Sequence, residues 1–157
     1  MAGDAAMKRR RFLLAGAALA SGALPATAQQ RFQPSQDIAP LLAKLTGGRT
    51  PEKSGVEIEL PQIAENGNSV PMRVRVTSPM TPADHVDAIH IIAERNPRPL
   101  VATFHLGPYS GRSEISTRVR LAGTQTVRVL VALNDNRFRI AEVPVLVTSA
   151  ACLDESL

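Results

Sequence analysis

From Val56 to Thr148 apolar and polar residues alternate with a period of two, the pattern of strands that bury one face and wet the other. Val56, Ile58 and Leu60 alternate with Glu57 and Glu59, and Val70, Met72, Val74 and Val76 with Arg73 and Arg75. Between them Glu65-Asn66-Gly67-Asn68 offers an Asn-Gly pair, whose positive φ suits a tight turn between strands. Val86 to Glu94 and Leu100 to Leu106, rich in β-branched residues, flank Asn96-Pro97-Arg98-Pro99 and predict a hairpin. Ser113 to Leu121, Thr126 to Leu133 and Phe138 to Thr148 follow, separated by Gly123-Thr124 and Asn134-Asp135-Asn136.

Seven strands with turn signals about every ten residues predict an all-β fold, an antiparallel β-sandwich of the immunoglobulin-like kind over residues 56–148. One short helix precedes it within an N-terminal lead, residues 29–55. Ile38, Leu41, Leu42 and Leu45 form an i, i+3, i+4, i+7 stripe, preceded by Ser35 and Asp37 as cap acceptors and stopped by Gly47-Gly48. Tryptophan is absent and only five residues are Phe or Tyr, so the core must be aliphatic.

Residues 1–28 read as an address rather than as part of the fold. Lys8 to Arg11 form a basic patch ahead of an apolar run from Phe12 to Ala20, too short for a finished bilayer span. Arg9, Arg10, Phe12 and Leu13 resemble the twin-arginine export signal, and Ala26-Thr27-Ala28 supplies a small-x-small cleavage site after Ala28. The expectation is a periplasmic chain that begins near Gln29 and keeps no membrane segment once the leader is gone. The leader takes four of the 18 basic and one of the 14 acidic residues with it, leaving 14 against 13 and a net charge near +1. A chain so nearly neutral lacks the clustered basic face that nucleic acid requires.

The single cysteine, Cys152, lies in a C-terminal segment, residues 149–157, directly after the last predicted strand. One cysteine in an oxidising compartment makes no internal disulfide, so it stays free, carries a group, or bonds another molecule. Asp154 and Glu155 disfavour its thiolate, and the tail holds no basic residue to compensate. Activation would come from a partner enzyme.

His90 and His105 are the remaining metal candidates. With the hairpin centred between Pro97 and Arg98, Ala93 faces Ala102, Ile91 faces Phe104 and His90 faces His105, about 5 Å apart at Cβ. Two imidazoles without a carboxylate or thiol in register make an incomplete ligand set, and a packing pair is the competing reading. No Gly-x-Ser-x-Gly elbow is present, and the glycines at 47–48 and 107–111 are too sparse for a phosphate cradle. No cofactor is expected. Arg73, Arg75, Arg118, Arg120 and Arg128 read as a solvated face, with an anionic ligand or acidic partner as the alternative.

Several segments resemble a known family. Glu65 to Pro71, Ser78-Pro79-Met80, Ala88-Ile89-His90, Ala93 to Pro97 and Val101 to His105 look like SoxY, the sulfur-carrier subunit of bacterial thiosulfate oxidation. The resemblance implies a non-enzymatic periplasmic carrier that pairs with a SoxZ-like subunit and visits sulfur-oxidation enzymes. It also implies that Cys152 is the attachment point for oxidised sulfur. The family's arm is Gly-Gly-Cys-Gly-Gly, whereas this chain has Ala-Ala-Cys-Leu-Asp-Glu, similar to the variant with an "AACIE" arm. Alanine and leucine remove much of the backbone freedom that glycine gives. An adaptor module that has lost the carrier chemistry is therefore the other reading.

Overall fold

The computed structural model describes residues 35–151. Ala39–Thr46 forms helix α1, and eight strands follow: β1 Val56–Glu59, β2 Ile63–Ala64, β3 Val70–Val76, β4 Val86–Ala93, β5 Leu100–His105, β6 Glu114–Val119, β7 Gln125–Leu133 and β8 Phe138–Val147. They make two sheets, a three-stranded one in the order β1-β3-β6 and a five-stranded one in the order β2-β8-β7-β4-β5. The fold is all-β and sandwich-like, with α1 as a third layer. Among the described residues no helix is long and apolar enough to cross a membrane.

Alternation decides which residues fill the space between the sheets. Val70, Met72, Val74 and Val76 of β3 meet Ile89 and Ile91 of β4 and Val127, Val129 and Val131 of β7. Every fully buried large side chain is Ile, Leu or Val, as the shortage of aromatics required. Each contributes roughly 1.5–3 kcal/mol of burial free energy.

The opposite face of the five-stranded sheet carries a smaller core. There Ile92, Leu130 and Phe138 pack with Ile38 under Leu41, Leu42 and Leu45 of α1. The helix begins where Asp37 Oδ1 accepts the Ala39 N–H at 2.9 Å, and it ends with Gly47 and Gly48 left-handed, the Gly48 N–H reaching the Ala43 carbonyl at 3.0 Å.

Three features depart from the sequence-based expectation. An eighth strand exists because Ile63–Ala64 pairs in parallel with Leu146 and Val147, so the sheet is not purely antiparallel. The Asn66-Gly67 turn does not join two paired strands: it crosses from β2 in one sheet to β3 in the other, and Gly67 is not among the positive-φ residues. The β4–β5 hairpin is displaced by two residues. Ala93 donates to the Pro99 carbonyl at 2.8 Å and the register shifts between Ile91 and Ile92, so His90 faces Thr103 and His105 faces Ala88.

Two prolines interrupt interior strands. Pro71 pairs with Arg118 of β6, beyond the last β1 partner at Arg73, and Pro144 pairs with Thr126 of β7, before the first β2 partner at Leu146. Each stands where its short flanking strand is absent, which is where a missing N–H costs no ladder bond.

Candidate functional site

The sandwich delivers the chain to the cysteine through a small set of backbone contacts at one end. Beyond β8 the Thr148 N–H donates to the Ala64 carbonyl at 3.0 Å, and the Thr148 hydroxyl donates to the Glu65 carbonyl at 3.1 Å. The Gly67 N–H then donates to the Ser149 carbonyl at 2.7 Å, the Leu121 N–H to the Gly67 carbonyl at 2.8 Å, and the Ala151 N–H to the Leu121 carbonyl at 3.0 Å. Three segments far apart in sequence are thereby joined in one chain of hydrogen bonds. Ala151 retains 7% of its exposure, so the backbone is held through the residue preceding Cys152.

Glycine is required at 67 for space rather than for φ. A Cβ there would lie 2.4 Å from the Leu121 carbonyl oxygen and 2.9 Å from the Ala151 nitrogen, both backbone atoms. The turn itself is closed by Asn66, whose Oδ1 accepts the Asn68 N–H at 2.9 Å.

Buried polar side chains brace the Leu121 segment. Asn96, 5% exposed, donates from Nδ2 to the Arg120 carbonyl at 2.8 Å and accepts at Oδ1 from the Ala122 N–H at 3.0 Å. Gln125 Oε1 accepts the Arg95 N–H at 2.9 Å. Thr124 Oγ1 accepts the Val147 N–H at 3.0 Å, tying the same loop to the end of β8.

Cys152 lies outside the described residues, as do the signal residues Arg9, Arg10, Phe12 and Leu13 and the cleavage residue Ala28. Sequence reasoning found the thiol but not its supports. Gly67 and Leu121 are 85 and 31 residues upstream of Cys152, and nothing in their local pattern connects them to it. The tail contains no basic residue, yet the exposed Arg120 directly precedes Leu121, and among the described residues it has no carboxylate within ion-pair distance.

The other arginines are mostly engaged. On β3, Arg73 and Arg75 pair with Glu59 and Glu114 across the exposed face of the three-stranded sheet. Arg128 bridges Glu94 and Glu142. Burial pushes the Glu94 carboxyl up, but hydrogen bonds from Arg128 and Ser35, the Arg128 charge and the Thr126 backbone outweigh it and hold the group below its usual value. Arg118 donates to the Ser69 hydroxyl at 2.6 Å and the Ser69 carbonyl at 3.0 Å.

The histidines do not form the facing pair that the sequence suggested. His90 and His105 share one face of the hairpin as diagonal neighbours, because a two-residue slip preserves the face. His90 Nδ1 hydrogen-bonds Thr103 Oγ1 at 2.9 Å, and burial, then the charge of His105, lowers its pKa below 6.5. Among the described residues no group of three His, Cys, Asp or Glu stands ready for a metal.

Residues 42–152 match the family model described as "Sulfur oxidation protein SoxY", a span that ends on the lone cysteine. No curated protein matches in sequence. Among solved structures, a superoxide reductase (neelaredoxin) from Ignicoccus hospitalis superposes with a TM-score of 0.53 at 16% identity, over 60% of this chain and 80% of the other. A superoxide reductase from Nanoarchaeum equitans gives 0.51 at 11% identity, over 61% and 100%. These two likenesses concern the fold alone.

Proposed function

The chain belongs to the SoxY family of sulfur oxidation proteins, and from that premise we propose that it is a periplasmic carrier holding oxidised sulfur covalently on Cys152. The observation that carries the reading is the position of the thiol. The chain's one cysteine lies one peptide bond beyond Ala151, whose N–H the sandwich holds at 3.0 Å.

Loading thiosulfate onto this sulfur forms an S–S bond between Cys152 and the sulfane sulfur, with release of the one thiol proton and two electrons. The electrons pass to an acceptor on the enzyme that docks the arm. The same enzyme supplies the activation of a thiol flanked by Asp154 and Glu155. No catalytic constellation is assigned to the carrier itself.

The partner in this proposal is a SoxZ-like subunit. Ile63 and Leu146 support the presence of a partner: directly paired between β2 and β8, they remain 59% and 49% exposed and form an apolar patch beside Pro144.

The test is the intact mass of the processed protein, isolated from the host periplasm without reductant and measured again after reduction. A removable adduct of sulfur, sulfonate or thiosulfonate mass on Cys152 is the expected result. A bare thiol during growth on reduced sulfur overturns carriage and leaves the adaptor reading, for which the Ala-Ala-Cys-Leu-Asp-Glu arm is the motivating departure. In a growth assay Cys152→Ser abolishes growth on thiosulfate if the carrier reading holds.

A further inference from the structure

The hydrogen bonds joining Ser149, Gly67, Leu121 and Ala151 form a clasp around the root of the arm. We propose that this clasp holds the root of the carrier arm on the sandwich through Ala151, and that Gly67 is the positioning residue that keeps it there. The proposal deepens the carrier reading and takes its functional meaning from it.

An arm that swung from the end of β8 would begin at Thr148. Here Thr148 is bonded to Ala64 and Glu65, the Ser149 carbonyl to Gly67, and the Ala151 N–H to Leu121. Releasing residues 149–151 would lengthen the arm by three residues, about 10 Å of extended chain. That length decides whether a thiol reaches the floor of an enzyme cleft or only its mouth. Closed, the clasp holds the chain through Ala151; open, it adds residues 149–151 to the reach of the arm without altering the folded core.

Gly67 controls this because it is where the three segments touch. Its N–H and carbonyl both take part in the chain of bonds, and a Cβ would overlap backbone atoms of both Leu121 and the arm root Ala151. Gly67→Ala therefore has to push Ala151 away from Leu121. The core between β4 and β7 lies outside the contact and has no reason to change.

A nitroxide attached to Cys152 reads the hold on the arm root, since the chain has no other cysteine. In the otherwise unaltered protein the spectrum is expected to show an immobilised label; in Gly67→Ala it is expected to narrow to a mobile one while the β4 and β7 amides stay protected from exchange. Identical spectra for the two proteins overturn the proposal. Should Gly67→Ala fail to fold, Ala151→Pro removes the N–H that donates to Leu121 and is expected to give the same mobile spectrum. Hydrogen exchange of the unsubstituted protein is a further check: the Ala151 amide is expected to exchange at least about 100-fold slower than an open chain end, and exchange at the open-chain rate overturns the clasp. Label mobility and amide exchange do not depend on cargo, so an empty thiol in the mass measurement refutes carriage without touching this result, and the reverse also holds.

Discussion

Gln125 Nε2 donates to Asn96 Oδ1 at 3.2 Å, a hydrogen bond between two amides that each keep only 5% of their exposure. Asn96 is the hub: it also satisfies the Arg120 carbonyl and the Ala122 N–H, and its own carbonyl accepts from Gln36 Nε2 at 2.7 Å. Asn96→Ala leaves the Arg120 carbonyl and the Ala122 N–H without partners, each worth roughly 1–3 kcal/mol, so a total loss of about 2–6 kcal/mol is expected. Urea denaturation checks it: the midpoint should fall with an unchanged slope.

The His90 imidazole imposes a pH dependence of known sign. Its folded pKa lies below the 6.5 of an open chain, so between those two values the unfolded chain binds more protons than the native protein. Stability is complete above about pH 6.5 and declines as the pH falls through the window beneath it. Urea midpoints at pH 7.5 and 5.5 should differ in the unsubstituted protein and differ less in His90→Gln. Equal differences in both would remove His90 as the cause.

Glu94 acts in a lower window. Its carboxyl titrates below 4.5 in the folded protein, so the stability linked to the Arg128 pair is present above that value and disappears as acid protonates the group. Glu94→Gln should flatten the stability profile below about pH 4.5, leaving the remaining acid sensitivity to groups such as Asp135, which Arg137 also holds low. Thermal unfolding across that range measures both.

Core and patch residues of similar size should respond in opposite ways. Ile91, with no exposure, is expected to cost about 2–5 kcal/mol on truncation to Ala. Leu146, 49% exposed, is expected to change stability by no more than about 0.5 kcal/mol as Leu146→Ser. Self-association or binding of a partner chain, followed by sedimentation, should weaken only in the second variant.

Much of this fold was legible because period-two patterning and burial are the same fact seen twice. The seven expected strands appear near their expected positions, and both glycines that end α1 adopt the left-handed backbone. What was not legible depends on distant contacts. Two residues, Ile63 and Ala64, carry no period, so only the neighbouring β8 makes them a strand. A turn that closes at Ala93 and Pro99, with a shifted register at Ile91 and Ile92, moved the histidines by two places without changing their face. Gly67 was noticed for the wrong property, conformational freedom, when the property that matters is the absence of a side chain between two other backbones. The thiol was visible in the sequence as a lone Cys; the brace before it was not, because its members are dispersed over residues 64–151.

Pro71 and Pro144 have a further consequence for the protein in a crowded compartment. The short strands β1 and β2 leave β3 and β8 partly uncovered, and each gap is an invitation for a foreign strand to pair. A proline in each gap offers no N–H to an incoming chain, so a ladder cannot be completed in either place. The two unfinished sheet margins are thereby closed to strand pairing, whatever docks on their side chains.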